Sequence, residues 1–345
     1  MSGGVDSAIA AYLLKEQGYE VVAGFMKNYV SDTGNCTTYD DAQEAINASK
    51  FLWIEIISFD LQKEYNEKII DYIFQGYQQW ITPNPDILCN SLIKFDVFLQ
   101  KALEVWFDYI ATGHYARIEE MKQWSNSTYK LLRWIDHNKD QSYFLAGLNQ
   151  FQLSKSLFPI GGYTKPEIRA LAKKIGLPNA ERKDSQWLCF IGNIPIRTFL
   201  EKKLPKKEGI IIDESGKTIG THQWAWFFTI GQRRGLNLLP DHYVTKIDVK
   251  QNIVTVWPRW SELLNQEKIP VLDRHRIGET YPLPCEVSAK IRYRQTEPAP
   301  CRLEKNDKDE IIAIFQEKQR AIAPGQTLVA YNGEECIGSW IITNN

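Results

Sequence analysis

A glycine turn that runs without a gap into an amphipathic helix, and then into a β-type run, fits few folds. The chain opens with such a turn, "MSGGVDSAIAAYLLKEQGYEVVAGFM". From Ser7 to about Lys15 the apolar residues Ile9, Tyr12 and Leu13 recur at helical spacing, Gly18 closes the helix, and "EVVAGFM" is β-rich. The alternation continues through "DDAQEAINASKFL" (helix), "IEIISF" (strand), "EYNEKIIDYIFQGYQQ" (helix), the Pro-rich loop "ITPNPDI", "SLIKFDVFLQKALE" (helix) and "YIAT" (strand). Short connections between alternating helices and strands imply an α/β fold, a doubly wound parallel sheet covered on both faces. Its ligand belongs at the carboxyl ends of the strands, where "SGGVDS", "FMKN", "SFD" and "TGHYAR" fall. Such a turn ordinarily follows a buried strand. An apolar β-rich run is therefore expected upstream, with Met1 an internal methionine.

Further along, a hairpin is expected around "YKLLRWID", and the stretch from about Asp140 to Leu204 reads as a helical extension. Within it, "TKPE" has capping-box spacing ahead of "IRALAKKIG". Beyond Pro205 the pattern turns to short strands punctuated by turns, read as two small β units divided near Leu272. The expected units are residues 1–204, 205–272 and 273–345. The 345 residues are 43% hydrophobic and 24% charged, ordinary for a chain that buries real cores. No apolar run reaches the roughly 18 to 20 residues a membrane span needs, and no signal peptide is legible, so a cytoplasmic location is expected. A net charge of -1 means that any nucleic-acid partner is held by local basic patches. The six cysteines, Cys36, Cys89, Cys189, Cys285, Cys301 and Cys336, lie far apart without a CxxC pair, which disfavours a disulfide framework or a zinc ribbon.

"SGGVDS" lacks the spacing and the lysine of a Walker loop, but the physics is similar. Gly3 and Gly4 allow close backbone approach, Ser2 and Ser7 offer hydroxyls, and the N–H groups of a helix start favour phosphate. Asp6 is expected to cap that helix. The plainer alternative is an ordinary glycine turn with a good cap. Cys89 follows "NPDIL" at a helix start, where backbone N–H groups stabilise thiolate. Asp86, three residues earlier, suits an acid or base, or an Asx-type cap. Cys189 in "WLCFI" reads from its neighbours alone as a buried structural cysteine, and Met26 in "GFMKN" as core.

"SGGVDS" resembles the pyrophosphate loop of the ATP pyrophosphatases. "TPNPDILCN", "ATGHYAR", "NKDQSYFLAGL" and "KDSQWLCFIG", then "FFTIGQRRGL", "KIRYRQ" and "APGQTLVAYNGEECIG", narrow the resemblance to the bacterial tRNA-specific 2-thiouridylases, in family order over nearly the whole chain. The resemblance implies a cytoplasmic transferase that uses ATP with Mg²⁺ to adenylate O2 of a tRNA wobble uridine. Sulfur then displaces AMP at C2, coming from a cysteine persulfide charged by a sulfur carrier or cysteine desulfurase. It makes Cys89 the nucleophile, Cys189 the persulfide carrier and Asp86 the acid or base. Ser2, Gly3, Gly4, Val5, Asp6, Ser7, Met26 and Gly113 would meet the nucleotide. Asn84, Pro85, Asp86, His114, Lys139, Asp140, Gln141, Arg292, Tyr293 and Gln326 would meet tRNA, whose target base must leave its stack. Without the resemblance, the charged members of that set read as solvated surface. The other cysteines read as packing residues, and spacing leaves a three-cysteine iron–sulfur site open. Two further readings stand beside this one. One is another acceptor for the same activation, as in lysidine or amide synthesis, against which "PDILC" and "DSQWLC" weigh; the other is an inactive tRNA-binding relative.

One compositional feature stands outside this scheme: 11 tryptophans accompany only 3 methionines. Trp53, Trp80, Trp106, Trp134, Trp187, Trp224, Trp257 and Trp340 fall where the pattern of the resembled family has glycine. An indole lacks the conformational freedom of glycine and needs a large pocket. The pattern is the one expected if UGA codons meaning glycine are written as tryptophan.

Overall fold

The computed structural model describes residues 1–29, 38–79, 81–122, 127–136, 139–183, 196–201, 203–204, 206–236, 241–278 and 281–343. Helix Val5–Glu16 buries Val5, Ala8, Ile9 and Leu13 against Ile168 and Ala172 of helix Lys165–Lys174. Strands β1 (Ala23–Lys27) and β2 (Ile56–Asp60) pair in parallel from Ala23–Ile56 to Lys27–Asp60. Helix Thr38–Leu52 lies between them in sequence, the crossover that a parallel pair requires. Helical segments Gln62–Tyr65, Asn66–Ile70 and Asp71–Gln78 follow one another directly, as do Pro85–Leu88, Cys89–Val97 and Phe98–Glu104.

The second parallel pair joins β3 (Ile110–Ala111) to a strand some 45 residues later. Between them come the hairpin β4 (Arg117–Lys122) and β5 (Ser127–Leu132) and helices Ser142–Leu145 and Gln150–Ser154. The later strand, β6 (Ser156–Leu157), lies in the stretch read from sequence as wholly helical. Two residues carry no periodicity, so only their partner reveals them as a strand. The Glu167 half of the "TKPE" capping box is present: its Oε2 accepts from the Thr164 amide at 2.7 Å.

A four-stranded sheet follows, built from β7 (Gly209–Ile212), β8 (Thr218–His222), β9 (His242–Asp248) and β10 (Ile253–Pro258) in the order β8-β7-β10-β9. The last unit contains β11 (Asn265–Arg276), β12 (Cys285–Lys290), β13 (Ala299–Lys305), β14 (Ile311–Arg320), β15 (Thr327–Asn332) and β16 (Glu335–Ile342). Their order is β11-β14-β13-β12-β15-β16, and β11 also pairs with β16, closing a six-stranded barrel. Alternate residues such as Ile269, Val271, Leu303, Phe315 and Leu328 fill it. Leu272 lies inside β11.

The hairpin β4–β5 does not stay within the first unit. Leu131 and Leu132 pair with Cys336 and Glu335 of β16, so the barrel sheet continues into the N-terminal unit. Beside that junction the Asp140 carboxylate sits 3.3 Å from Arg133 Nε and 3.4 Å from Lys290 Nζ on β12, with all three side chains almost wholly buried.

Candidate active site

The glycine loop is held from behind. Gly3 has φ +74°, and a Cβ there would lie 2.5 Å from the Asp41 carbonyl oxygen, so only glycine fits. The Gly3 carbonyl accepts from Asn179 Nδ2 at 2.7 Å and Arg182 Nη1 at 3.0 Å, and Arg182 also pairs with Asp41. Ser7 Oγ donates to the Gly4 carbonyl at 3.0 Å and lies 3.2 Å from Ser2 Oγ. Gly4, not Asp6, occupies the N-cap position, and no side chain caps this helix start. Asp6 sits in the first turn, where its carboxylate accepts from Lys165 Nζ at 2.6 and 2.8 Å and from Tyr115 Oη at 2.7 Å. An ammonium and a phenol therefore claim the carboxylate that local pattern assigned to capping. The amides at the start of this helix keep the character of an anion site.

Gly113 backs the same loop: a Cβ there would meet the Asp6 carbonyl carbon at 2.6 Å and the Ser7 nitrogen at 2.7 Å. His114 follows, buried, with Nδ1 2.7 Å from Thr112 Oγ1 and its ring 5.8 Å from Phe95 and 5.9 Å from Phe158. "ATGH" thus bridges the glycine loop and the helix that carries Cys89. Burial, aided by the charge of Lys94, pushes the His114 imidazole well below its ordinary value. It is neutral at neutral pH. The unfolded chain takes up this proton first, near pH ~6.5, so His114 lowers stability as pH falls below that point. The urea midpoint is expected to drop between about pH 7 and about pH 5, and His114→Gln should remove part of the drop. His222, also lowered by burial, accounts for another part. An identical pH slope in wild type and His114→Gln would refute this.

Cys89 is 1% exposed and belongs to an apolar cluster with Leu61, Leu88 and Ile93, against which Met26 and Phe59 pack. It stands just beyond the four-residue turn Pro85–Leu88, whose N-cap position is Asn84. Asp86, in the first turn, is therefore not the cap; its carbonyl accepts from Asn90 Nδ2 at 3.0 Å. The preceding loop is fastened to the barrel. Gln326 Nε2 donates to the carbonyls of Thr82 at 3.0 Å and Pro83 at 3.3 Å, and the Thr82 amide donates to Pro324 at 2.8 Å. Asn84 Nδ2 donates to Tyr143 Oη at 3.2 Å, and Tyr143 Oη donates to the Thr327 carbonyl at 2.8 Å. Gln326, Asn84, Pro85, Asp86 and Cys89 therefore form one neighbourhood from two units of the chain.

The remaining expected contacts divide. Gln141 is strapped to Tyr115 by its side-chain oxygen and its amide, both at 2.9 Å, and Lys139 Nζ lies 5.7 Å from the Tyr115 ring centre. Arg292 is exposed, while Tyr293 lays its ring on Phe144 at 4.1 Å. Asp140, expected among the tRNA contacts, is 2% exposed. Its oxygens receive Arg133, Lys290 and the amides of Trp134 and Ser142, so it anchors the fold. Cys189 and Cys36 lie outside the described residues. Cys301 and Cys336 are buried in the barrel unit, and burial pushes the Cys301 thiol up to about 12. No group of three His, Cys, Asp or Glu suited to a metal occurs among the described residues. Sequence reasoning missed Lys165, Asn179 and Arg182. Lys165 was legible only as part of a helix cap, and nothing local marked the other two.

Comparison with known proteins identifies the family. Family models match in succession: a tRNA methyl transferase HUP domain over residues 1–193, its PRC-barrel domain over 197–258 and an aminomethyltransferase β-barrel domain over 267–342. The tRNA-specific 2-thiouridylase MnmA of Chromobacterium violaceum is 40% identical, over 99% of this chain and 90% of that protein. The chain belongs to the tRNA-specific 2-thiouridylase family. Proteins of the same name from Ralstonia nicotianae (39% identical, 100% of this chain, 95% of that protein) and Cupriavidus pinatubonensis (40%, 99% and 96%) agree. For a member of this family, the HUP unit is the part that carries both the glycine loop and Cys89, and the barrel is the part that fastens the "TPNPD" loop through Gln326. No described helix is long and apolar enough to cross a membrane.

Proposed function

We propose that this chain converts a tRNA wobble uridine to 2-thiouridine, in the cytoplasm, with sulfur supplied by a protein persulfide carrier or a cysteine desulfurase. The observation that carries the reading is the uncapped start of helix Val5–Glu16, cradled by Gly3 and Gly4, in the same unit as a buried thiol at Cys89. The residues fit a nucleotide. Gly3 admits close approach, the amides of the first turn suit phosphate, and Ser2 and Ser7 add hydroxyls. ATP with Mg²⁺ supplies the adenylyl group that makes uridine O2 a leaving group.

Ser2 to Ser7 hold the triphosphate in this scheme, and Asn179, Arg182 and Lys165 hold the loop. Met26 and Gly113 line the nucleotide's neighbourhood. Cys189 presents the terminal sulfur of its persulfide to C2, and AMP departs. The Cys89 thiolate then attacks Cys189 Sγ, leaving a Cys89–Cys189 disulfide and sulfur on the base. Asp86 exchanges the proton this requires. His114, Asn84, Pro85 and Gln326 shape the place of the extruded base. Methyl transfer, which the name of the family model mentions, would give neither the phosphate cradle nor Cys89 a task.

Mass spectrometry of tRNA after incubation with ATP, Mg²⁺ and a persulfide donor should detect 2-thiouridine. Pyrophosphate exchange without thiolation would point to another acceptor, and neither to an inactive relative. The chain is nearly neutral, so RNA affinity rests on local cations. Arg292→Ala with Lys139→Ala should flatten the plot of log K against log salt by about one unit of slope per lost phosphate contact. An unchanged slope would remove both from the interface.

A further inference from the structure

Four helices of the N-terminal unit end in the same hydrogen-bonded cap. After Val5–Glu16, the Gly18 amide donates to Lys15 O at 3.0 Å and the Tyr19 amide to Leu14 O at 3.1 Å. After Lys165–Lys174, Gly176 donates to Lys173 O at 3.0 Å and Leu177 to Ala172 O at 2.9 Å. After Thr38–Leu52, Trp53 donates to Lys50 O at 3.1 Å and Ile54 to Ser49 O at 3.0 Å; after Phe98–Glu104, Trp106 donates to Leu103 O and Phe107 to Ala102 O, both at 3.1 Å. This paired pattern requires a left-handed residue at the turning point. The four φ values are +88° at Gly18, +75° at Gly176, +55° at Trp53 and +69° at Trp106. One position in one motif is filled twice by the residue suited to it and twice by the bulkiest residue there is.

Packing does not compensate. Trp53 is 88% exposed and Trp106 is 93% exposed, so neither indole is seated in a pocket. Trp224 is a third case in a worse region, with φ +148° and ψ +136°, which glycine alone enters readily. Its buried Nε1 has no hydrogen-bond partner among the described residues. Trp134 shows what a seated tryptophan looks like: wholly buried, stacked 4.3 Å from Tyr115, with Nε1 donating to Tyr163 O at 2.8 Å. That seating separates Trp134 from the exposed Trp53 and Trp106, and from Trp224, which is half-buried against the Trp226 ring at 4.7 Å but leaves Nε1 unbonded among the described residues; the family pattern has glycine at Trp134 too.

The other described non-glycine residues at positive φ are Asp241, Asn252, Asp309 and Ala321. Aspartate and asparagine tolerate that region. No other bulky residue appears among them. Single-base changes in glycine codons also give Arg, Ser, Cys, Val, Ala, Asp and Glu, so ordinary substitution would not select tryptophan alone. One codon, UGA, is read as tryptophan in some genetic codes and as glycine in another. We infer that positions 53, 106 and 224 are glycine in the protein the cell makes, encoded by UGA in an organism that decodes it as glycine. The inference stands on backbone geometry and does not depend on the proposed activity.

The coding DNA should carry UGA at these three codons, and peptides from the protein isolated from its own cells should have the mass of glycine there. UGG codons, or UGA with tryptophan in the peptides, would overturn it. Independently, Trp53→Gly and Trp106→Gly in the recombinant chain should each raise the thermal midpoint by about 2–4 °C, because the strained backbone is relieved and no packing is lost. A lower or unchanged midpoint in both would overturn the structural basis.

Discussion

Cys89→Ser is expected to abolish 2-thiouridine formation, by about 10³-fold or more, while ATP–pyrophosphate exchange in the presence of tRNA continues. Serine nearly preserves shape but is a far weaker nucleophile, so the loss falls on the step that frees sulfur and spares the step that activates O2. Cys89 lies 1% exposed in an apolar cluster, where a hydroxyl is less at home than a thiol. Cys89→Ala therefore serves as a second variant: it removes the nucleophile without burying a polar group, and its circular dichroism and exchange activity should match those of the wild type. Cys189→Ser is expected to show the same split. Full thiolation by either serine variant would refute the assigned roles, and loss of exchange in all three would assign these cysteines to the fold and not to sulfur transfer.

Asp140→Ala should lower folding stability by about 3–5 kcal/mol, read from urea denaturation. The carboxylate is the shared counter-charge of Arg133 and Lys290, whose side chains are 5% and 2% exposed, and removing it leaves two buried cations facing each other. Burial already pushes the Lys290 ammonium below its ordinary value, with Asp140 as the main opposing influence. Arg133 keeps one further partner, Glu297 at 3.0 Å. Asp140 also receives the amides of Trp134 and Ser142, so its loss loosens the segment that presents Lys139 and Gln141. Asp140→Asn combined with Lys290→Met should recover much of the lost stability, since a neutral buried pair does not leave an uncompensated charge. A loss below about 1 kcal/mol in Asp140→Ala would mean that the cluster is not desolvated in solution.

Helix Val5–Glu16, strands β1 and β2, helix Thr38–Leu52 and the barrel strands were legible in the sequence because each carries its own period, 3.6 or 2, over many residues. The glycine loop was legible for a similar reason: Gly3 must take a positive φ, and its neighbours Ser2, Gly4 and Ser7 are chemically distinctive within six residues. The colinear stretches then named the family. What the chain alone did not decide was every feature made by partners distant in sequence. Asp6 reads as a cap until Lys165, 159 residues away, and Tyr115 claim its carboxylate. Asp140 reads as surface until Arg133 and Lys290 enclose it, and Ser156–Leu157 is a strand only because Ile110–Ala111 lies beside it. The division placed near Leu272 falls within β11, whose continuity is set by pairing with β14 and β16. Local chemistry fixes periodicity, turns and reactive groups. Long-range pairing decides which charge is neutralised, which short segment becomes a strand and which loop is pinned, since these energies exist only once both partners are in place.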